Sequence, residues 1–256
     1  MPILRRSFFL ALLLATALSG CGGGGSTSSS ASGTNTPPAN SNTGGSGNPG
    51  PTQGVWQGTY ASTYDMRLIV LDSGETFGLY LGGSALMGAL YGDMTASGNA
   101  IGGFLSDLVF SSKSSSRANI AGSVVAQKSI LGYRNNTQRI DLSYMNSQGV
   151  SLSTVAGTYV GRGQTNLAQH QAMQVNVSSS GQLTLPDDVC SASGTISPRN
   201  DVDAFTLNLT ITGDNCGRRG TRMTGVAHYD ANLRRLYVVG LNDGRSDVVY
   251  FMGVKN

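Results

Sequence analysis

Apolar β-branched and aromatic residues alternate with polar ones, or cluster, in short runs: Met66 to Leu71, Thr76 to Leu81, Phe104 to Phe110, Ile120 to Ala126, Arg139 to Tyr144, Met173 to Val177, Phe205 to Thr212, Met223 to Tyr229, Leu236 to Leu241 and Val248 to Val254. Turn-forming residues separate them at Asp72-Ser73-Gly74, Ser97-Gly98-Asn99, Ser180-Gly181, Thr212-Gly213-Asp214 and Asn242-Asp243-Gly244. No long stretch carries a helical period, so the pattern predicts an all-β protein of antiparallel strands. Glycines at Gly82, Gly83, Gly88, Gly92, Gly102 and Gly103 suit bulges and sharp bends in strongly coiled strands.

The pattern repeats. Gly58-Thr59-Tyr60 recurs as Gly157-Thr158-Tyr159. Met66 to Val70 with Ser73-Gly74 matches Met173 to Val177 with Ser180-Gly181 in identical spacing, and Ile120-Ala121-Gly122 matches Met223-Thr224-Gly225. The order of the matches predicts a duplicated β unit, the first over residues 55–150 and the second over 151–256. Each has room for six to eight short strands, as a small barrel or sandwich. Closure into barrels is favoured because it removes unpaired strand edges, either as two barrels or as one composite body.

Ahead of these units the pattern changes twice. Residues 1–20 place Arg5 and Arg6 before an apolar run from Phe8 to Leu14, the order of a signal peptide and too short to span a bilayer. Apart from Cys21 and Gln53, residues 21–54 are Gly, Ser, Thr, Asn, Pro and Ala with no charge, which predicts a disordered tether. A flexible coil of about 33 residues spans roughly 30 Å.

Leu18-Ser19-Gly20-Cys21 resembles the lipobox of bacterial lipoproteins. The resemblance implies cleavage before Cys21, acylation of its thiol and new amino group, and, through Gly22, sorting to the outer membrane, on its periplasmic or its surface face. More than one acyl chain is what makes such an anchor stable. The glycine run after Cys21 is similar to the tethers of surface-displayed β-barrel lipoproteins. Gly54-Val55-Trp56-Gln57-Gly58-Thr59-Tyr60 resembles the opening of lipocalin-like and avidin-like barrels, where the tryptophan closes the barrel floor. Trp56, Tyr60 and Tyr159 are accordingly candidates either to plug their units or to line a ligand cavity.

Composition narrows the chemistry. The chain has 17 basic and 14 acidic residues, and loss of Arg5 and Arg6 leaves the remainder near neutrality, with no electrostatic case for nucleic acid. Arg218, Arg219 and Arg222 read as a solvated loop. Cys190 and Cys216 are both in the second unit, and an exported chain meets an oxidising compartment, which predicts a disulfide between them. Closing a loop of about 25 residues contributes on the order of 3 kcal/mol.

Catalytic candidates are sparse. His170 and His228 have no metal-ligand spacing and read as surface or strand residues, so neither a metal nor a cofactor is expected. Ser111 and Lys113 lie in a Ser-rich loop, and Asp187 and Asp188 read as turn residues beside Pro186. Asp201 and Asp203 alone could share a face as a carboxylate pair for sugar hydrolysis. The leading expectation is a non-enzymatic, membrane-anchored binding surface for another envelope or host macromolecule, as an adhesin or assembly factor. A small-molecule or lipid carrier with a hollow barrel is the alternative, and a cell-wall hydrolase comes last.

Overall fold

In the computed structural model the described residues are 50–146, 149–165, 169–186, 191–213 and 219–256, without the side chains of 169–172. Cys21, Cys190 and Cys216, with Asp187, Asp188 and Arg218, lie outside them, as do the signal segment and residues 21–49. The first eight strands are β1 (Gly54–Tyr60), β2 (Tyr64–Val70), β3 (Glu75–Gly82), β4 (Ala85–Ser97), β5 (Ala100–Val109), β6 (Ser114–Val125), β7 (Ser129–Arg134) and β8 (Gln138–Tyr144). A single helical turn, α1 (Leu152–Val155), precedes β9 (Gly157–Thr165), β10 (Gln169–Val177), β11 (Gln182–Leu185), β12 (Ala192–Pro198), β13 (Phe205–Ile211), β14 (Arg222–Asp230), β15 (Arg235–Asn242) and β16 (Val248–Lys255).

Each set of eight is an antiparallel meander closed on itself: β1 pairs with β8, and β9 with β16. The protein is therefore two tandem eight-stranded barrels. Closure leaves every strand paired on both sides, which disposes of the edge problem. Of the strands, β1, β4, β7, β9, β11 and β12 are missing from the runs of the sequence pattern. Of these, β4, β9 and β12 are rich in Gly, Ser and Ala, whose low strand preference is overridden here by neighbours on both sides.

The repeat holds strand for strand. Its three matches fall on β1 and β9, on β2 and β10 with the turns that follow, and on β6 and β14. The two turns share one geometry. Gly74 and Gly181 sit at φ +84° and +81°, where a side chain is strained, and their carbonyls accept from Met94 and Ile196 N–H at 2.9 and 2.8 Å. Gly122 pairs with Gly132, and Gly225 with Gly240, so the register agrees across the sixth and seventh strands as well.

Three apolar cores hold this arrangement. Trp56, Met66, Leu68, Leu90, Leu105, Ile120, Ile130 and Ile140 fill the first barrel, and Val155, Tyr159, Val175, Leu183, Leu207, Met223, Leu236 and Phe251 fill the second. The third core lies between the barrels. There the outward side chains of β2 and β3, Ile69, Phe77, Leu79 and Leu81, meet Val226, Tyr237, Val239, Leu241, Val248, Tyr250 and Met252 from β14 to β16. Both barrels fall in one compact body. This two-sided burial explains why β3, β15 and β16 are nearly continuous apolar runs, whereas β7 and β8, with one face in solvent, alternate cleanly.

The body begins before Gly54. Thr52 and Gln53 are buried, and Gln53 Nε2 donates to the Asp201 carbonyl across the seam at 2.6 Å. A polar residue anchored by a partner 148 positions away leaves no local trace in sequence.

Truncating Leu79 to Ala in the seam should cost about 2–5 kcal/mol in urea unfolding. The same change at Leu131, 40 % exposed on the free face of β7, should cost under about 0.5 kcal/mol. Equal losses would contradict a third core.

Candidate functional site at the seam between the barrels

Inside the first barrel, inward positions near the β1–β2 and β3–β4 turns carry polar groups. Asp107, at an inward position of β5, accepts from Tyr60 Oη and Tyr80 Oη at 2.7 Å each, and Arg134 Nη1 stands 3.8 Å from it. Arg134 donates in turn to the Leu105 carbonyl at 3.0 Å, to Gln138 Oε1 and to the Ser116 carbonyl. Gly88 makes this possible, because a Cβ there would overlap the Tyr80 hydroxyl and the Leu108 carbonyl. Burial, and then the Asp107 carboxylate, push both tyrosine hydroxyls far above their usual range, so they are donors at any ordinary pH. The network is internally satisfied and closes this end of the barrel.

The opposite end is closed by Trp56, whose Nε1 donates to the Thr52 carbonyl at 2.8 Å and whose ring meets Tyr144 edge-on at 5.2 Å. In the second barrel Tyr159, opposite Val175 as Trp56 is opposite Leu68, takes the position of Trp56, although the repeated Gly-Thr-Tyr aligns it with Tyr60. The Tyr159 hydroxyl donates to the Val155 carbonyl, tying α1 under the barrel, and its ring lies 6.1 Å from Tyr229. All three aromatics singled out by sequence are thus buried within the barrels.

Open space lies along the seam, in two grooves. One, of about 500 Å³, is lined by Tyr144, Gln53, Ser151 and the segment from Pro198 to Ala204. Asp201 and Asp203 both face it. Arg199 grips Asp201 with two bonds of 2.8 Å, and the Asp72 N–H adds a third at 3.2 Å. Burial would raise the Asp201 carboxyl, but these donors outweigh it and hold it below the usual carboxylate range. Asp203 accepts from Val150 N–H at 3.3 Å.

The second groove, of about 450 Å³, is lined by Gln57, Asp65, Arg67, Leu81, Ser143, Leu233, Arg235 and Tyr237, from both barrels. Arg67 donates to Asp230 at 3.2 Å and lies 5.7 Å from the centre of the Tyr237 ring. Asp230 is fully engaged, its other oxygen accepting from Leu233 N–H at 3.1 Å. Behind Tyr237, 6.4 Å away and nearly parallel, is the buried ring of His228. Its Nδ1 contacts the Asp203 carbonyl at 3.0 Å, which makes Nδ1 the donor and leaves the lone pair of neutral His228 on Nε2. Burial is the main reason its pKa lies below the ordinary histidine value; Arg67 acts the same way, against Asp203 and Asp230.

Sequence reading found Asp201, Asp203, Trp56, Tyr60 and Tyr159 but not Asp107, Arg67, Asp230 or Arg235. The available signal was a charged residue inside an apolar strand run, since such residues are buried only with partners. Of the remaining candidates, Ser111 and Lys113 sit on the exposed β5–β6 turn, His170 pairs with Gly163 in β10, and Arg219 and Arg222 are exposed. Among the described residues no three His, Cys, Asp or Glu side chains are grouped to hold a metal.

Fold and grooves together define a double β-barrel protein with an inter-barrel seam. Compared with known families, curated proteins and solved structures, the chain matches none.

Replacing Asp107 by Ala should cost about 3–5 kcal/mol in denaturant unfolding, because Arg134 would be left buried without its counter-charge. His228 sets a pH dependence. The unfolded chain takes up a proton there as pH falls through 6.5 while the folded seam resists, so stability should decline below that pH. Thermal melts of His228→Leu should lose that part of the decline; an unchanged acid limb would exclude His228 as its source.

Proposed function

We propose that this chain is a non-enzymatic binding protein, held to a bacterial outer membrane by lipid on Cys21 and presenting its double barrel as a rigid binding body. The observation that carries the reading is the seam: it fuses two filled barrels into one body and opens polar grooves where residues of both barrels meet. A cleft shared by two packed units is a common place for ligands.

The interiors support binding at the outer surface over carriage inside, since Trp56, Tyr60 and Tyr159 occupy the barrel cores. The carboxylates that might have served hydrolysis also point away from catalysis. A glycosidase needs one carboxylic acid kept protonated, whereas Asp201 is gripped by Arg199 in its charged form. The lipobox-like Leu18 to Cys21 supports the anchor, and the uncharged segment from Gly22 onward serves as spacer. For an exported chain, pairing of Cys190 with Cys216 as a disulfide remains the expectation.

Cells producing the chain should incorporate labelled palmitate into it, and Cys21→Ser should abolish the label and release the protein from membranes. A photo-crosslinker at Leu233, on the seam groove, should give a discrete adduct with one envelope or host macromolecule on intact cells. Persistent labelling of the serine variant would overturn the anchor; the absence of any adduct would overturn the binding role.

A further inference from the structure

The seam groove around Tyr237 brings together two guanidinium groups, each with a buried Nε that has no acceptor. Arg235 makes no side-chain hydrogen bond or ion pair among the described residues, and its Nε is buried without a partner. Asp230 lies directly opposite it in register, yet both oxygens of Asp230 are engaged by Arg67 and the Leu233 N–H. Arg67 Nε is a second buried donor with no acceptor. Leaving such groups unpaired costs about 1–3 kcal/mol, and more when they are charged. At the other side of the groove Asp65 is exposed on β2 and forms no hydrogen bond or ion pair among the described residues. Beyond β2, on the side away from Arg235, Gln57 and Ser143 pair across β1 and β8 and add an amide and a hydroxyl to the lining.

We infer that this groove binds a short peptide or amino acid in zwitterionic form, its carboxylate on the Arg235 guanidinium and its ammonium on Asp65. A guanidinium fork fits a planar carboxylate through two parallel bonds, which suits an arginine lacking acceptors. Arg67, Arg235 and Asp65 line the groove and Asp230 is paired with Arg67 beside it, so the four charges cancel. A net-neutral ligand with separated charges matches that field, whereas a phosphate dianion would bring two negative charges into a field with no net positive charge. Gln57 and Ser143 supply the donors and acceptors that a peptide backbone needs, and Leu233 with Tyr237 gives an apolar wall. At about 450 Å³ the groove has the size of a small-ligand site.

This ligand rests on the reading of the seam as a binding surface and names what it recognises. Calorimetric titration of the full-length chain with trialanine should show saturable binding. Amidation of the peptide's carboxyl, or Arg235→Gln, should weaken it at least tenfold; N-acetylation, or Asp65→Asn, should do likewise. Arg235→Lys, which keeps the charge but loses the fork, should recover only part. Melting temperatures of the variants should not fall, since Arg235 and Asp65 form no side-chain hydrogen bond or ion pair among the described residues. Absence of heat with trialanine, equal binding of the amidated peptide, or displacement by inorganic phosphate would overturn the assignment. If trialanine fails while the Leu233 crosslink to a macromolecule persists, the ligand class is wrong and the binding role stands. If both fail, the binding role falls with it.

Discussion

Everything outside the two barrel interiors depends on one constraint: the outer faces of β2, β3, β15 and β16 are apolar and must be covered. A barrel with a filled interior has no further use for such a face, so the only way to remove it from water is to press it against another. The duplicated unit does so head to tail, using early strands of the first barrel and the last three of the second. Each of the buried large side chains contributes on the order of 1.5–3 kcal/mol. Hence the seam is a third core of the same chain and not a loose contact between neighbouring domains.

Head-to-tail packing leaves one such face unused on each barrel, and the sequence treats it differently. The residue opposite Gly132 is Ile140, and the residue opposite Gly240 is Val249, so β8 and β16 can be compared position by position. Where β16 turns Val248, Tyr250 and Met252 to the seam, β8 turns Arg139, Asp141 and Ser143 to solvent. Arg139 and Asp141 there form an exposed ion pair at 2.8 Å. An apolar face at that place would invite a second chain onto the first barrel and, by repetition, an open filament. Three polar substitutions in one of two copies stop the series at two barrels.

Much of this was legible in sequence. The strand class and the duplication follow from periodicity and from matched glycines such as Gly74 and Gly181, because those signals are local, whereas closure was favoured over a sandwich only by the need to remove strand edges. The missing strands, β9 and β12 for example, are short of β-formers, since their partners on both sides fix them. The seam was not legible, because an apolar run such as Phe77 to Leu81 looks alike whether its outer face meets solvent, lipid or a second barrel. The polar sites were invisible for a related reason. Asp107 and Arg134 are 27 residues apart and Arg67 and Asp230 are 163 apart, and only barrel closure and seam formation bring each pair together.

The two polar clusters then separate by what surrounds them. Asp107 is enclosed, so an unpaired group beside it would have nothing to turn to. The chain answers with two tyrosines, an arginine, and a glycine at position 88 that clears the way for one of them. Arg235 stands at the wall of an open groove, opposite a carboxylate already spent on Arg67 and Leu233. A fold that satisfies its innermost charge so fully and leaves a guanidinium unmatched at its rim has placed the unmatched donor where a solute can reach it. The different treatment follows from position: around Asp107 the partners come from the chain itself, whereas at Arg235 they can come from outside it, where the barrels part.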